Sequence, residues 1–160
     1  MKNLRFTLGI CIASVIALVA SANQASAQQG KFITEASARL SKLVDAANGA
    51  GYTLQDNSFS IGGGWLKQSA SNWVPLYTVQ LTAGKKYRFL AAGDVDAKDV
   101  DLEVLDSNNN VVASDTATAS TATVDFTPKN SGRYLVRIRL YESDNNLPCV
   151  CLGIVMTKTK

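Results

Sequence analysis

The stretch Arg133–Tyr141, RYLVRIRLY, alternates apolar and basic side chains in the way that is typical of a β-strand with one buried face. Successive side chains of a strand point to opposite faces of its sheet. The apolar positions are Tyr134, Val136, Ile138 and Leu140, and the basic positions are Arg133, Arg137 and Arg139. The stretch therefore predicts a strand that lies on a hydrophobic core and turns its arginines outward.

Short apolar segments of the same kind occur on both sides of this stretch. They are Val74–Leu81, Tyr87–Ala92, Val100–Leu105, Val111–Ser114, Ala122–Thr127 and Val150–Met156. Gly, Asn, Asp and Pro separate the segments, and no helical pattern lies between them, whereas parallel pairing needs crossover helices. The sequence thus predicts an all-β fold, an antiparallel β-sandwich of about seven to eight strands.

The region before residue 74 has a different pattern. Apolar residues recur every three or four positions from Lys31 to Asn48, which predicts a short amphipathic helix that ends at Asn48-Gly49. Residues 49–71 are rich in turn formers, and Gly62–Gly64 are interpreted as a flexible turn. We therefore expect an N-terminal helix and Gly-rich linker over 28–73, followed by the sandwich domain over 74–160.

Residues 1–27 have the features of a cleaved secretory signal peptide. Lys2 and Arg5 precede an apolar stretch, and the segment ends in the small residues Ala25-Ser26-Ala27. No later segment is apolar enough to cross a bilayer. The sequence predicts export to the periplasm or the cell exterior, with no stable membrane insertion after cleavage.

The charge balance argues against a nucleic-acid partner. The chain has 16 Lys+Arg and 13 Asp+Glu, and loss of Lys2 and Arg5 with the signal peptide leaves 14 basic residues against 13 acidic ones. A mature net charge of about +1, without a basic run, does not provide the concentrated positive surface that nucleic acids require.

Two of the three cysteines, Cys149 and Cys151, lie in the mature chain, while Cys11 leaves with the signal peptide. Two interpretations stay open. Positions i and i+2 place both thiols on one strand face, where they would be small buried side chains. Alternatively, a local kink brings them close enough for a disulfide.

Catalytic motifs are scarce in this sequence. The chain contains no histidine, which excludes Ser-His-Asp and Cys-His arrangements. Neither a phosphate-binding P-loop nor a G-x-S-x-G motif occurs. The prediction is a protein that is not an enzyme and needs no cofactor other than a candidate calcium ion. A cryptic hydrolase with facing carboxylates is a remote alternative.

The acidic stretch Gly93–Asn110, GDVDAKDVDLEVLDSNNN, has two interpretations. No register of it satisfies an EF-hand, but calcium also binds carboxylates in irregular loops. The candidate ligands are Asp94, Asp96, Asp99 and Asp101. In the second interpretation, three acids on one strand face, Asp99, Asp101 and Glu103, pair with the outward Arg133, Arg137 or Arg139. Asp106–Asn110 then form a turn.

Trp65 and Trp73 are candidates for an aromatic ligand platform, because exposed rings stack well on sugars or peptides. The alternative is that both rings close the end of the sandwich core.

Three segments resemble the bacterial pre-peptidase C-terminal domain family. They are YTVQLTAGKKYRFLAAGD (77–94), DVDLEVLDSNNNVVASD (99–115) and VDFTPKNSGRYLVRIRL (124–140), in the order that the family shows. The resemblance covers about residues 74–156 and implies a jelly-roll-like β-sandwich of secreted bacterial proteins, often appended to peptidases. Such domains are thought to assist secretion, bind substrate or stabilise their host, and some related sandwiches bind calcium or collagen.

These observations predict an exported, non-catalytic module that binds or stabilises a secreted or surface partner. The expected partner is a protein or a polysaccharide. The alternative function is that of a calcium-dependent structural or adhesion module.

Overall fold

The computed structural model describes residues 30–54 and 60–159. The predicted signal peptide, with Cys11, lies outside this part of the chain. The predicted helix is confirmed as α1, over residues 30–49. The strands are β1 (Tyr52–Thr53), β2 (Ile61–Leu66), β3 (Val74–Leu81), β4 (Tyr87–Gly93), β5 (Ala97–Leu105), β6 (Val111–Asp115), β7 (Thr121–Phe126), β8 (Gly132–Ser143) and β9 (Cys149–Lys158).

The strands form two antiparallel sheets that pack face to face. In sheet A, β9 pairs with β1 and β2 on one side and with β4 on the other, and β4 pairs with β7. In sheet B the strand order is β3-β8-β5-β6. Apart from the β5–β6 hairpin, neighbouring strands are not consecutive in sequence, as in the double Greek key of a jelly roll. The predicted antiparallel, jelly-roll-like sandwich is confirmed.

The core lies between the two sheets and consists of the side chains on the apolar face of each strand. Phe89 of sheet A and Leu102, Val136 and Ile138 of sheet B are fully buried there. Leu102 pairs with Ile138, and Val104 pairs with Val136, so the register of β5 and β8 turns both apolar faces inward together. The alternate positions of these two strands hold charged residues, which lie on the outer face of sheet B.

Helix α1 covers the outer face of sheet A. Leu40 and Ala47 of α1 pack against Leu90, Ala92 and Met156, which point away from the main core. This second cluster explains why β4 is apolar on both faces, since a strand buried on both sides needs no polar face. The helix is therefore part of the packed domain.

The Gly-rich segment is a strand, and its prediction as a flexible turn was wrong. β2 pairs with β9 from Ile61–Ile154 to Leu66–Cys149. A Cβ atom at Gly62 would lie 2.8 Å from the carbonyl oxygen of Leu76 in β3, so this glycine lets the two sheets approach each other closely. The division into 28–73 and 74–160 stays a prediction about domains, although α1, β1 and β2 pack on or pair within sheet A.

β1 lies in the predicted linker and was not predicted as a strand, and the other differences concern strand ends. β5 begins at Ala97, three residues before the predicted start, with register shifts around Asp99. Only residues 94–96 therefore remain as the loop before it. In the part of the chain that the structure describes, no helix combines the length and the apolarity that spanning a membrane requires.

Candidate binding site

The outer face of sheet B carries two arginine–carboxylate pairs side by side. Nε of Arg139 donates to Oδ2 of Asp101 at 2.7 Å, and Nη2 of Arg139 lies 2.6 Å from the same oxygen. Nε of Arg137 donates to Oε2 of Glu103 at 2.7 Å, with Nη2 of Arg137 at 2.6 Å. Both pairs follow from the register of β5 and β8, which sets Asp101 opposite Arg139 and Glu103 opposite Arg137.

The two pairs differ in burial. The Asp101 side chain is 2% exposed and that of Arg139 15%, against 13% for Glu103 and 29% for Arg137. Arg139 also donates through Nη1 to the carbonyl oxygen of Ala70, which is on the segment between β2 and β3. The interpretation of the strand acids as partners of the outward arginines is thus seen directly for Asp101 and Glu103.

Two aromatic rings lie against these arginines. Cζ of Arg139 is 4.6 Å from the ring centre of Trp73 and 4.8 Å from that of Tyr141, and Cζ of Arg137 is 5.0 Å from that of Trp73. A guanidinium over an aromatic face is attracted by the ring quadrupole. Because Arg139 is held by Asp101, it holds both rings in place. We call these six residues the outer-face cluster; they are Trp73, Asp101, Glu103, Arg137, Arg139 and Tyr141.

An open groove of about 660 Å³ begins at Tyr141, near the end of β8. Its lining comes from residues 68–70, 141–143 and 145–146 and from Lys98, and we call it the Tyr141 groove. Tyr141 is 44% exposed. The groove and the outer-face cluster share Tyr141, and Ala70 of the groove is bound by Arg139, so they form one continuous surface.

Hydrogen bonds fix the floor of the groove. The backbone N–H of Ser143 donates to Oε1 of Gln68 at 2.7 Å. Oγ of Ser143 lies 3.0 Å from the same oxygen and 2.7 Å from the carbonyl oxygen of Leu147. Since Oε1 of Gln68 is engaged, the orientation of its amide is set, and its Nε2 donor points away from Ser143.

The far wall is a short 3₁₀ turn, Asp144–Asn146, between β8 and β9. Asn145 and Asn146 both have left-handed backbone conformations, with φ of 51° and 57°. Consecutive non-glycine residues of this kind are strained, and such strain clusters at functional sites. The turn is tied to the rest of the sandwich by the backbone N–H of Asp144, which donates to the carbonyl oxygen of Asp96 at 2.9 Å, and by a Lys98–Asp144 ion pair of 2.5 Å.

The two candidate platform tryptophans lie on opposite outer faces of the sandwich. Trp65 is on β2, 47% exposed, and packs edge-on against Phe32 of α1 with ring centres 5.5 Å apart. Trp73 is half-buried on the arginines of sheet B. The two rings therefore do not form one platform together, and each remains a separate candidate.

The four candidate calcium ligands have different partners. Oδ2 of Asp94 accepts from the backbone N–H of Val150 at 2.6 Å, and Oδ1 of Asp94 accepts from that of Asp96 at 3.1 Å. Asp101 is paired with Arg139. Burial raises the pKa of the Asp96 carboxyl, and the nearby Asp94 carboxylate raises it further.

The predicted turn at Asp106–Asn110 is confirmed, since the backbone N–H of Asp106 donates to the carbonyl oxygen of Asn110 at 3.0 Å.

Asp99 is the member of this set with a buried carboxylate oxygen that lacks a hydrogen-bond partner among the described residues. Asp99 is 4% exposed, and its Oδ1 is buried without a hydrogen bond among the described residues. Burial raises the pKa of the Asp99 carboxyl, and the neighbouring Asp101 carboxylate raises it further. Within residues 30–54 and 60–159, three or more metal-ligating side chains do not come together in a metal-binding arrangement. The calcium assignment of Asp94, Asp96, Asp99 and Asp101 stays a prediction.

Cys149 and Cys151 are free and fully buried in the core. Of the two interpretations of Cys149 and Cys151, the structure therefore has the first, two buried thiols on one strand face, and not a disulfide. Burial raises the pKa of Cys149 to about 12 and also raises that of Cys151. A thiol is a nucleophile only as the thiolate, so neither cysteine has the properties of a catalytic residue.

Sequence reasoning did not identify Tyr141, Gln68, Asn145 and Asn146 as site residues. For Tyr141 a signal exists, because its parity with Arg137 and Arg139 on β8 places it on the outer face. The others carry no local signal, since the groove is assembled from segments that are distant in sequence.

Comparison with known proteins identifies one family and a set of distant folds. The family model described as bacterial pre-peptidase C-terminal domain matches residues 74–140. The search of curated proteins gave no match.

Solved structures resemble the chain only at the level of the fold. The periplasmic inhibitor of g-type lysozyme from Aeromonas hydrophila is 11% identical, with a TM-score of 0.42 over 66% of this chain and 91% of that one. A protein of the disulfide-linked pili of Bacillus endospore appendages is 13% identical, with a TM-score of 0.34 over 67% and 96%. A carbohydrate-binding module of Cellvibrio mixtus lichenase 5A is 11% identical, with a TM-score of 0.34 over 65% and 91%. Similarity of this degree transfers neither a ligand nor an activity.

Proposed function

We propose that this chain, whose residues 74–140 match the bacterial pre-peptidase C-terminal domain model, is an exported, non-catalytic module that binds a secreted or cell-surface partner. Binding takes place on the outer face of sheet B, through the outer-face cluster and the Tyr141 groove. The opposite outer face is already covered by α1.

The observation that carries this proposal is an exposed tyrosine held by a buried ion pair. Tyr141 lies over the guanidinium of Arg139, which is fixed by the 2%-exposed Asp101. Burying a charge pair on a sheet surface is weak evidence for stability, because desolvation offsets much of the attraction. Its effect is to hold two aromatic rings on the outer face of sheet B, and one of them, Tyr141, is on strand β8 at the edge of the groove. Ligand sites are built in this way, with side chains held by a supporting layer on regular elements.

The charges of the site support a role without catalysis. Asp101 and Glu103 are each engaged by an arginine and are not positioned as free acids that face one another. The chain also has no histidine to act as a general base. Export rests on the signal peptide predicted at residues 1–27, which lies outside the described residues.

The experiment that tests this function measures binding of the mature protein to material from the cell exterior. Fluorescently labelled protein is mixed with whole cells, with purified cell walls and with concentrated secreted proteins, and the bound fraction is measured. The Tyr141→Ala variant is expected to bind about tenfold more weakly. Val111→Ala, which shortens a similarly exposed apolar residue of β6 outside the groove, is expected to bind like the wild type. Equal binding by all three proteins, or none by any, would contradict the proposal.

A calcium-dependent structural module is the second candidate, and the unpartnered oxygen of Asp99 favours it. Asp99 pairs in register with Glu142 on β8, so two acids from neighbouring strands occupy the start of β5. Calcium takes six to eight oxygen ligands, and carboxylates without partners are the natural contributors. The test is a melting curve with millimolar calcium and with a chelator. An increase of the midpoint in wild type but not in Asp99→Asn supports the candidate, and identical midpoints in wild type reject it.

A further inference from the structure

We propose that the Tyr141 groove binds an uncharged oligosaccharide or polysaccharide segment. This inference rests on the proposed binding function and adds the chemical class of the ligand. It follows from the shape of the groove, the setting of its aromatic ring, its hydrogen-bonding groups and its charge.

The shape suits a segment of a longer chain. Ligand sites commonly enclose about 300–1,000 Å³, and the groove has about 660 Å³. It is open along the surface, and its lining comes from the segment before β3, the end of β8 and the turn before β9. A polymer can therefore pass through it without inserting a chain end.

The aromatic ring is positioned for stacking. Arg139 lies over the ring of Tyr141, at 4.8 Å from the ring centre, and Tyr141 is still 44% exposed, so part of the residue remains open to a ligand. The face of an aromatic ring carries negative charge density, and the C–H groups of a sugar ring carry small positive charges. Packing of a sugar ring on the exposed part of Tyr141 is thus favourable, and Arg139 fixes the ring beforehand.

The polar lining matches hydroxyl groups. A side-chain amide offers both donors and an acceptor, and a sugar hydroxyl is likewise donor and acceptor. Asn145 and Asn146 are exposed at the groove wall, and their left-handed backbone directs two successive amides from one short turn. On the floor, Ser143 holds the amide of Gln68 in one orientation. When an amide already has a fixed orientation, less conformational entropy is lost as it forms hydrogen bonds with a ligand.

The charge of the groove favours an uncharged ligand. Its one basic lining residue, Lys98, is paired with Asp144, and the lining also includes Glu142. An anionic ligand, such as a uronate polymer or a phosphorylated one, would face an excess of negative charge. A protein partner is also disfavoured, because interface centres are apolar and depleted of charge, whereas this lining is amide, hydroxyl and charged groups around one ring.

The proposal is tested by native gel electrophoresis of the mature protein in gels that contain a soluble polysaccharide. The uncharged polysaccharides are hydroxyethyl cellulose, neutral arabinoxylan, galactomannan and laminarin, and polygalacturonate serves as the anionic one. The proteins compared are wild type, Tyr141→Phe, Tyr141→Ala and Val111→Ala. Tyr141→Phe keeps the stacking face without the hydroxyl, and melting curves confirm that all four proteins are folded.

We expect at least one uncharged polysaccharide to slow the wild type, with an affinity about tenfold lower in Tyr141→Ala. Tyr141→Phe should retain most of the affinity, and Val111→Ala should retain all of it. Retardation that is absent with every uncharged polysaccharide, insensitive to Tyr141→Ala, or strongest with polygalacturonate overturns the inference.

The same variants separate this inference from the proposed function. If Tyr141→Ala weakens binding to cells, walls or secreted proteins while no uncharged polysaccharide retards the wild type, the carbohydrate ligand is refuted and the binding role stands. If neither experiment detects binding, both are refuted.

Discussion

Replacement of Arg139 by methionine is expected to destabilise the domain far more than the same change two residues away at Arg137. Methionine keeps most of the apolar stem of the arginine and removes the guanidinium. In Arg139→Met, the Asp101 carboxylate, whose side chain is 2% exposed, loses both nitrogen contacts near 2.7 Å and remains buried. Removing one partner of a buried ion pair costs about 3–5 kcal/mol, because the other charge is left without compensation.

The value for Arg139 itself should lie at the lower end of that range, about 3 kcal/mol, since its side chain is 15% exposed and water can reach one edge of the pair. Arg137 is 29% exposed and its partner Glu103 13%, so water replaces more of the lost contact. Exposed pairs contribute about 0.2–1 kcal/mol, and we expect Arg137→Met to cost about 1 kcal/mol. A domain of this size has a stability of about 5–15 kcal/mol, so both variants stay folded at 25 °C.

Urea denaturation, followed by tryptophan fluorescence and by circular dichroism, measures both free energies of unfolding. The transitions from the two probes should coincide and the m-values should match that of the wild type, which shows that the folded state is unchanged. The double variant Asp101→Asn/Arg139→Met should recover part of the loss, because the buried charge is gone. Equal losses for Arg139→Met and Arg137→Met would refute the assignment of the larger effect to burial of Asp101.

Three further predictions concern other parts of the fold. Burial raises the pKa of Asp99 in the folded state above its unfolded value, so folding takes up a proton there and this group's contribution to stability falls as the pH rises through the raised pKa. Melting curves of Asp99→Asn should therefore show a higher midpoint than the wild type at pH 7 and a smaller gain at pH 4, and an equal gain at both would contradict this. Cys149 and Cys151 are both fully buried, and burial raises the pKa of Cys149 to about 12 and also raises that of Cys151, so neither thiol should react with a thiol reagent until urea unfolds the protein; rapid labelling of the native protein would disprove this. Gly62→Ala should cost about 1–3 kcal/mol because the new Cβ would lie 2.8 Å from the carbonyl oxygen of Leu76, while Gly64→Ala, whose Cβ meets nothing within 4 Å, should be close to neutral in the same urea titration.

Strand positions were predictable because they depend on local periodicity. The alternation in RYLVRIRLY predicted both the burial of Val136 and Ile138 and the outward direction of Arg137 and Arg139. β2 was not predictable in this way, because its glycines have no side-chain alternation. It is a strand because its backbone pairs with β9, about 90 residues later in the chain, and backbone hydrogen bonds do not depend on side-chain type.

The same distinction applies to the site. Local patterns in the sequence were sufficient to predict the antiparallel β-sandwich, the parity of the strands that alternate and the resemblance of three segments to one family. They also included arginines and acids that were able to pair. The pairing of Arg139 with Asp101, rather than with Asp99, depends on the three-dimensional structure, because the register shifts near Asp99 set which residues face each other across β5 and β8. The folded structure also places Tyr141 beside Gln68 and Asn146, since that groove exists only once three distant segments meet at the end of the sheet. Local patterns specify which way a side chain points, and closure of the sandwich specifies what it meets there.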